Sequence, residues 1–276
     1  MRRINLFLSF IIYLFFIFIP SPSHTNWIPE ISLEPSGSAY IGKYSSNSER
    51  YNVDAGEDIL FSLLSWEKID FFVEYTTNLE MAKQVGNVTL DPRYAHWFII
   101  GGFKLRKGSY LLKSYLVHDC KHIIDFPPDS NKVVFNRLKF SLSKNFSNLE
   151  QRFQTGFEKE KRLRKPRWEF IYGFYPQSKV IDYLNSRPYY HHDFALHLEY
   201  PLFFFTRAEF FSGIKGRYTI SANDPPKYYK DISILIEVSI FRKKGSFGFY
   251  IEYFPLSQDP MKSPEGLTIS GIRYLF

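Results

Sequence analysis

Leu267-Thr-Ile-Ser-Gly-Ile-Arg-Tyr-Leu-Phe276 is the last stretch of a 276-residue sequence, and its reading decides the fold. Stepping back by twos from Phe276 gives Tyr274 and Ile272 on one side, while Leu275, Arg273 and Gly271 fall on the other. A period of two with one apolar, aromatic-edged face is the pattern of a β-strand. The same alternation recurs upstream. Ile232, Ile234, Ile236, Val238 and Ile240 share one face, with Ser233, Glu237 and Ser239 opposite. Phe247, Phe249, Ile251 and Tyr253 alternate with Gly248, Tyr250 and Glu252, and Phe194, Leu196 and Leu198 alternate with Asp193, His197 and Glu199.

Extended over the chain, this pattern predicts strands near 37–45, 57–66, 68–77, 94–105, 108–118, 132–143, 166–176, 189–200, 202–213, 231–242, 245–255 and 266–276. Connections at Trp66-Glu-Lys68, Arg106-Lys107, Pro201 and Lys243-Lys244 are short. Those at 46–56, 78–93, 119–131, 177–188, 214–230 and 256–265 are longer and rich in Pro, Asn, Asp, Ser and Gly. Residues 144–165 break the alternation, being long and charged where a short turn is expected. A closing strand that ends in Phe resembles the terminal signal of bacterial outer-membrane β-barrels, whose short periplasmic turns alternate with longer outer loops. The resemblance implies an all-β fold, a transmembrane antiparallel up-and-down β-barrel of about 12 strands.

A soluble β-sandwich also alternates, but its apolar faces meet in one core. Here the polar faces carry Asp70, Glu74, Lys104, Lys113, Arg137, Lys139, Glu169, Glu199, Arg207, Glu209, Glu237, Glu252 and Arg273. In a small barrel these residues would close the lumen with ion pairs; on a sandwich they would be a solvated surface. Aromatic residues make up 19% of the chain, an excess that a lipid-facing belt and its two girdles account for.

The N-terminal end agrees with the barrel. Met1-Arg-Arg, the apolar run Leu6 to Ile19 and Ser21-Pro-Ser23 have the layout of a secretory signal peptide, so residues 1–23 are expected to be removed and 24–276 to form the barrel. Without Arg2 and Arg3 the chain keeps 33 basic and 28 acidic side chains, a mild excess with none of the long basic blocks that mark nucleic-acid binding. Lys159-Glu-Lys-Arg-Leu-Arg-Lys-Pro-Arg167 reads as a solvated turn, or as a contact for lipopolysaccharide phosphates if it faces outward. Cys120 is the only cysteine, which rules out an intramolecular disulfide.

The densest chemistry is His118-Asp-Cys-Lys-His122-Ile-Ile-Asp125, read as an outer-rim loop following the fifth strand. Two imidazoles and a carboxylate are a common metal-ligand set, and His96, at the start of the neighbouring strand, extends it to four. The same residues offer a base and its orienter beside Cys120 as nucleophile. The alternation from Lys113, however, turns Val117 inward and His118 outward. The stretch resembles an uncharacterised outer-membrane barrel family carrying His-x-Ser-Ser-His-x-x-Asp after a Gly-rich strand and a short basic turn. Gly101-Gly102, Arg106-Lys107-Gly108, His118, His122 and Asp125 match it, and Cys120 and Lys121 replace the two serines.

The sequence therefore predicts an outer-membrane barrel with a structural, binding or narrow transport role. One alternative is a lipid-modifying hydrolase using His118, His122 and Asp125; the other is a solute channel. Outer-membrane lipids, lipopolysaccharide and the barrel-assembly machinery are the expected partners. No cofactor is expected, a divalent metal at His96, His118, His122 and Asp125 being the alternative.

Overall fold

A computed structural model describes residues 30–31, 35–46, 51–66, 68–82, 91–123, 133–145, 165–176, 190–205, 207–222, 225–242, 245–259 and 262–276. The expected signal peptide, residues 1–23, and most of 144–165 lie outside the described residues. The chain forms one closed antiparallel sheet. Its strands are β1 Pro35–Tyr44, β2 Val53–Trp66, β3 Ile69–Ala82, β4 Asp91–Lys107, β5 Tyr110–Ile123 and β6 Val133–Lys144. They continue with β7 Arg167–Phe174, β8 Tyr190–Phe205, β9 Ala208–Ser221, β10 Tyr228–Arg242, β11 Gly245–Ser257 and β12 Thr268–Leu275. Glu30–Ile31 adds a two-residue pairing to the lower end of β2. Each strand pairs with its sequence neighbours, and β12 pairs with β1, with Ile272 opposite Ile41. The twelve-stranded barrel read from the sequence is the fold.

Two faces explain why these residues close into a barrel. Outward positions are large and apolar on every side: Ile41, Phe61, Tyr75, Ile99, Leu116, Phe170, Leu198, Ile214, Ile236, Phe249 and Tyr274 are all exposed. Inward positions are charged and buried. A water-soluble protein does not expose a continuous belt of this kind, whereas the hydrocarbon of a bilayer demands it. All twelve strands therefore cross a membrane. Closure also gives every strand a partner on both sides, as a structure crossing lipid requires.

The lumen is closed by ion pairs in layers. At the short-turn end, Arg167 binds Glu199 at 2.9 Å and Glu209 at 3.1 Å, Lys104 binds Asp70 at 3.4 Å, and Arg273 binds Glu237 at 3.0 Å. At mid-height Lys215 binds Glu252 at 3.0 Å. Desolvating one of these ions alone would cost several kcal/mol (~3–5), so each is held by an opposite charge.

Three expectations are corrected. Pro201 is not a turn. It lies inside β8 opposite Phe211, where Phe203 already faces Phe210, so Leu202 is an extra residue in the ladder. A bulge accommodates a residue with no N–H, and β8 continues past it to Phe205. Arg207 is accordingly an exposed turn residue rather than a lumen residue. The third correction concerns β5. It does not end at His118 but runs on to Ile123, so His118 lies within the strand and the residues after it, to Ile123, are strand rather than loop.

Candidate active site

His118, Cys120 and Asn136 share the outer face of the barrel, with His118 and Asn136 in contact. β5 is apolar outward at Leu112 and Leu116, the latter 64% exposed. Its next two outward positions are His118 and Cys120. An i, i+2 pair on a strand lies side by side on one face, about 7 Å apart at the backbone. β6 places Asn136 directly opposite His118. The His118 Nδ1 lies 2.9 Å from the Asn136 Oδ1. A carbonyl oxygen only accepts, so Nδ1 carries the proton, and Nε2 is left with its lone pair. The surroundings are apolar: Ile99 is opposite His118, and Trp97 and Val134 flank Cys120.

The height of the site follows from strand geometry. His118 is eight residues along β5 from Tyr110, which edges the short-turn side. At a rise of ~3.4 Å and a tilt of ~40° that is ~20 Å, close to the top of a lipid belt ~25 Å tall. The group therefore sits at the long-loop edge of the lipid-facing belt. Around it run Phe140, Tyr172, His192 and Phe174, whose rings contact one another across β6, β7 and β8.

Behind this surface the lumen carries a second cluster. Asp119, between His118 and Cys120, points inward. It binds His96 and accepts a hydrogen bond from Arg137 Nη2 at 2.6 Å. Arg137 Nη1 donates to the Tyr175 hydroxyl at 3.0 Å and lies 3.6 Å from Asp193. Gly173 is fixed by the same packing, since a Cβ there would overlap the Asp193 carboxylate. Phe135, Tyr175 and Tyr190 form an aromatic cluster on the lumen side at this level.

The predicted site residues are thus divided between the two faces. His118 faces lipid, as its alternation with Val117 required, while His96 faces the lumen. The four-residue set that combined them is not assembled, because the barrel wall stands between the two imidazoles. The side chain of His122 and all of Asp125 lie outside the described residues. Among the described residues, no three His, Cys, Asp or Glu side chains come close enough to hold a metal ion.

Sequence reasoning missed Asn136. Its signal is present: Val134, Leu138, Phe140 and Leu142 share its outward face, and Asn is the polar break among them.

A lumenal cavity of about 550 Å³ opens among Arg137, Lys139, Asp193, Arg217, Asp231 and Glu252. The segment between β11 and β12 reaches over it. Asp259 binds Arg217 at 2.7 Å, Lys262 binds Asp54, and the Ser263 N–H donates to the Tyr51 hydroxyl at 2.9 Å.

No protein-family profile matches the sequence, and no curated protein matches it either. Solved structures do match the fold. The outer membrane phospholipase of Salmonella typhi, a dimer with bound calcium, superposes with a TM-score of 0.52 at 10% identity, covering 92% of this chain and 94% of that one. An outer membrane channel from Pseudomonas putida F1 gives 0.53 at 8% identity, over 93% and 99% of the two chains. The NanC porin gives 0.51 at 9% identity, over 87% and 98%. An enzyme, a channel and a porin share this architecture, so the likeness speaks to fold. With the lipid-facing belt it makes the chain a twelve-stranded transmembrane β-barrel of the bacterial outer-membrane type.

Proposed function

We propose that this barrel is an outer-membrane hydrolase that cleaves acyl esters of outer-leaflet lipids, with Cys120 as nucleophile, His118 as base and Asn136 as its orienter. The observation that carries the reading is the 2.9 Å contact between His118 Nδ1 and Asn136 Oδ1 beside an outward Cys120. A nucleophile, a base and a third group that fixes the base's tautomer form the triad logic, and Cys-His-Asn is one of its recurring forms. The phospholipase among the similar structures supports a lipid substrate for this fold.

The chemistry balances with these three side chains and water. His118 Nε2 takes the Cys120 thiol proton as sulfur bonds to the ester carbonyl carbon. The C–O bond then breaks, and the alcohol leaves with that proton. Water, deprotonated by the same imidazole, attacks the thioester and releases the fatty acid and free Cys120. Asn136 holds the imidazole so that Nε2 faces the thiol throughout. Export by the expected signal peptide and insertion by the barrel-assembly machinery would bring this face to its substrate.

The test is fatty-acid release by purified protein in mixed micelles, with diacyl phospholipid in one arm and lipopolysaccharide in the other. The wild type should release fatty acid in one arm and carry a hydroxylamine-sensitive acyl adduct on Cys120. Cys120→Ala should abolish both, and His118→Ala should slow turnover by about a hundredfold or more. No release in either arm, or release that survives Cys120→Ala, would overturn the reading.

A further inference from the structure

Beside the proposed site, among the described residues, β6 pairs with β7 from Lys144↔Trp168 to Leu138↔Phe174, and with β5 as far as Val133. Asn136 lies two residues beyond Leu138. A small rotation of this part of β6 would swing the Asn136 amide away from His118. Side-chain ties from the lumen side can hold the strand against that rotation.

Arg137 is placed to do so. Its guanidinium binds Asp119 on β5 at 2.6 Å, the Tyr175 hydroxyl just beyond β7 at 3.0 Å, and Asp193 on β8 at 3.6 Å. These three anchors tie β6 to the elements on both sides of it. The side chains of Arg137 and Asp119 are both buried, at 8% and 7% exposure, so the pair is little screened. Chain connectivity links this pair to the outer face. Asp119 separates His118 from Cys120, and Arg137 follows Asn136. Drawing both charged side chains inward turns all three outer side chains towards lipid.

We propose that the Asp119–Arg137 ion pair is a positioning device for the outer His118–Asn136–Cys120 group, acting through the barrel wall. The inference rests on the triad reading given above. Asp119 and Arg137 touch no substrate; they fix the backbone from which the reacting side chains project. Misplacement of about 1 Å in such a group costs up to about a hundredfold in rate, so a device that prevents it has a measurable effect.

Because Cys120 is the only thiol, its alkylation by iodoacetamide reports on the site without any lipid substrate. The experiment compares wild type, Asp119→Asn, Arg137→Lys, His118→Ala and Asp70→Asn, all in micelles and all checked for heat-modifiable migration. Asp70→Asn removes a lumen ion pair at the other end of the barrel and controls for general loosening. His118→Ala should slow alkylation by removing the base. Asp119→Asn should slow it about tenfold and lower kcat for lipid similarly with KM within about twofold, while Arg137→Lys keeps most of both. Asp70→Asn should match wild type. If Asp119→Asn matches wild type while His118→Ala does not, the positioning role falls and the triad stands. If Asp70→Asn slows alkylation as much as Asp119→Asn does, the effect is general loosening and the proposal fails. If His118→Ala leaves alkylation unchanged, the triad reading fails and takes this one with it.

Discussion

Lys262 reaches from the segment between β11 and β12 to bind Asp54 on β2, a partner 208 positions earlier in the chain. The same ammonium lies 3.4 Å from Asn78 Oδ1 on β3, and four and three residues before it the Gln258 and Asp259 amides donate to Asp231 on β10. One short segment is thereby tied to both sides of the barrel mouth, above the lumenal cavity.

Steady conductance should therefore be absent from the wild-type barrel in planar bilayers. Replacing Lys262 and Asp259 together with Ala should introduce brief openings, since the Lys262–Asp54 and Arg217–Asp259 ion pairs are both lost. Large ohmic steps from the wild type would show an open bore and would favour the channel alternative.

The tie should also be insensitive to mild alkali. Burial alone would lower the Lys262 pKa. The Asp54 carboxylate, followed by Tyr44 and Glu80, outweighs that and holds it well above the ordinary lysine value. A raised folded value means that the stabilisation is complete below the unfolded pKa of about 10.4 and is lost only as pH rises through the higher folded value. Tryptic cleavage after Lys262, normalised to a Lys-Ser peptide, should stay flat between about pH 7 and pH 9. A steep rise in that window would mean that the ammonium is not held as described.

Arg167 is the most severe single deletion we expect in the lumen. Only 2% of it is exposed, it faces Glu199 and Glu209, and its guanidinium lies 4.9 Å from the centre of the Phe211 ring. Arg167→Met would take away the cation that two buried carboxylates share, at a cost of about 3–5 kcal/mol. Urea unfolding in lipid vesicles measures this; a loss below about 1 kcal/mol would show that water reaches the pair.

Barrel closure predicts a further effect at the last strand. The Phe276 N–H donates to Gly37 O, and the Gly37 N–H to Phe276 O, both at 2.9 Å. Phe276→Asp places a charge beside Tyr274 in the girdle while keeping those backbone bonds. Membrane insertion should fall and protease-sensitive precursor should accumulate. Unchanged heat-modifiable migration and yield would show that the side chain is not read during assembly.

Strand faces were legible because lipid and lumen impose opposite demands on alternate residues, as Ile232 to Ile240 display. Strand ends were not, because that contrast fades above the bilayer. Asp119 and Lys121 continue β5 inward and pair with Arg137 and Glu80, yet their outward neighbours His118 and Cys120 carry no hydrophobic signal. The polar stretch therefore resembled a loop. His118 stood out by its chemistry, but its partner Asn136 is joined to it only by strand register, 18 positions away. His96 was grouped with it because their strands pair, a proximity that is blind to the wall between the two faces.

The alternation of His118, Asp119 and Cys120 also behaves as a reading frame. Each position is defined by its parity along β5: even numbers address lipid and odd numbers address the lumen. Inserting or deleting one residue between Tyr110 and Val117 without a compensating bulge would shift that frame, delivering a carboxylate to the hydrocarbon and a thiol to the ion-paired interior. Changes in pairs would keep it. The tolerated length variation of β5 below the site should therefore be quantised in steps of two, a constraint imposed by the pleat itself and independent of any one side chain.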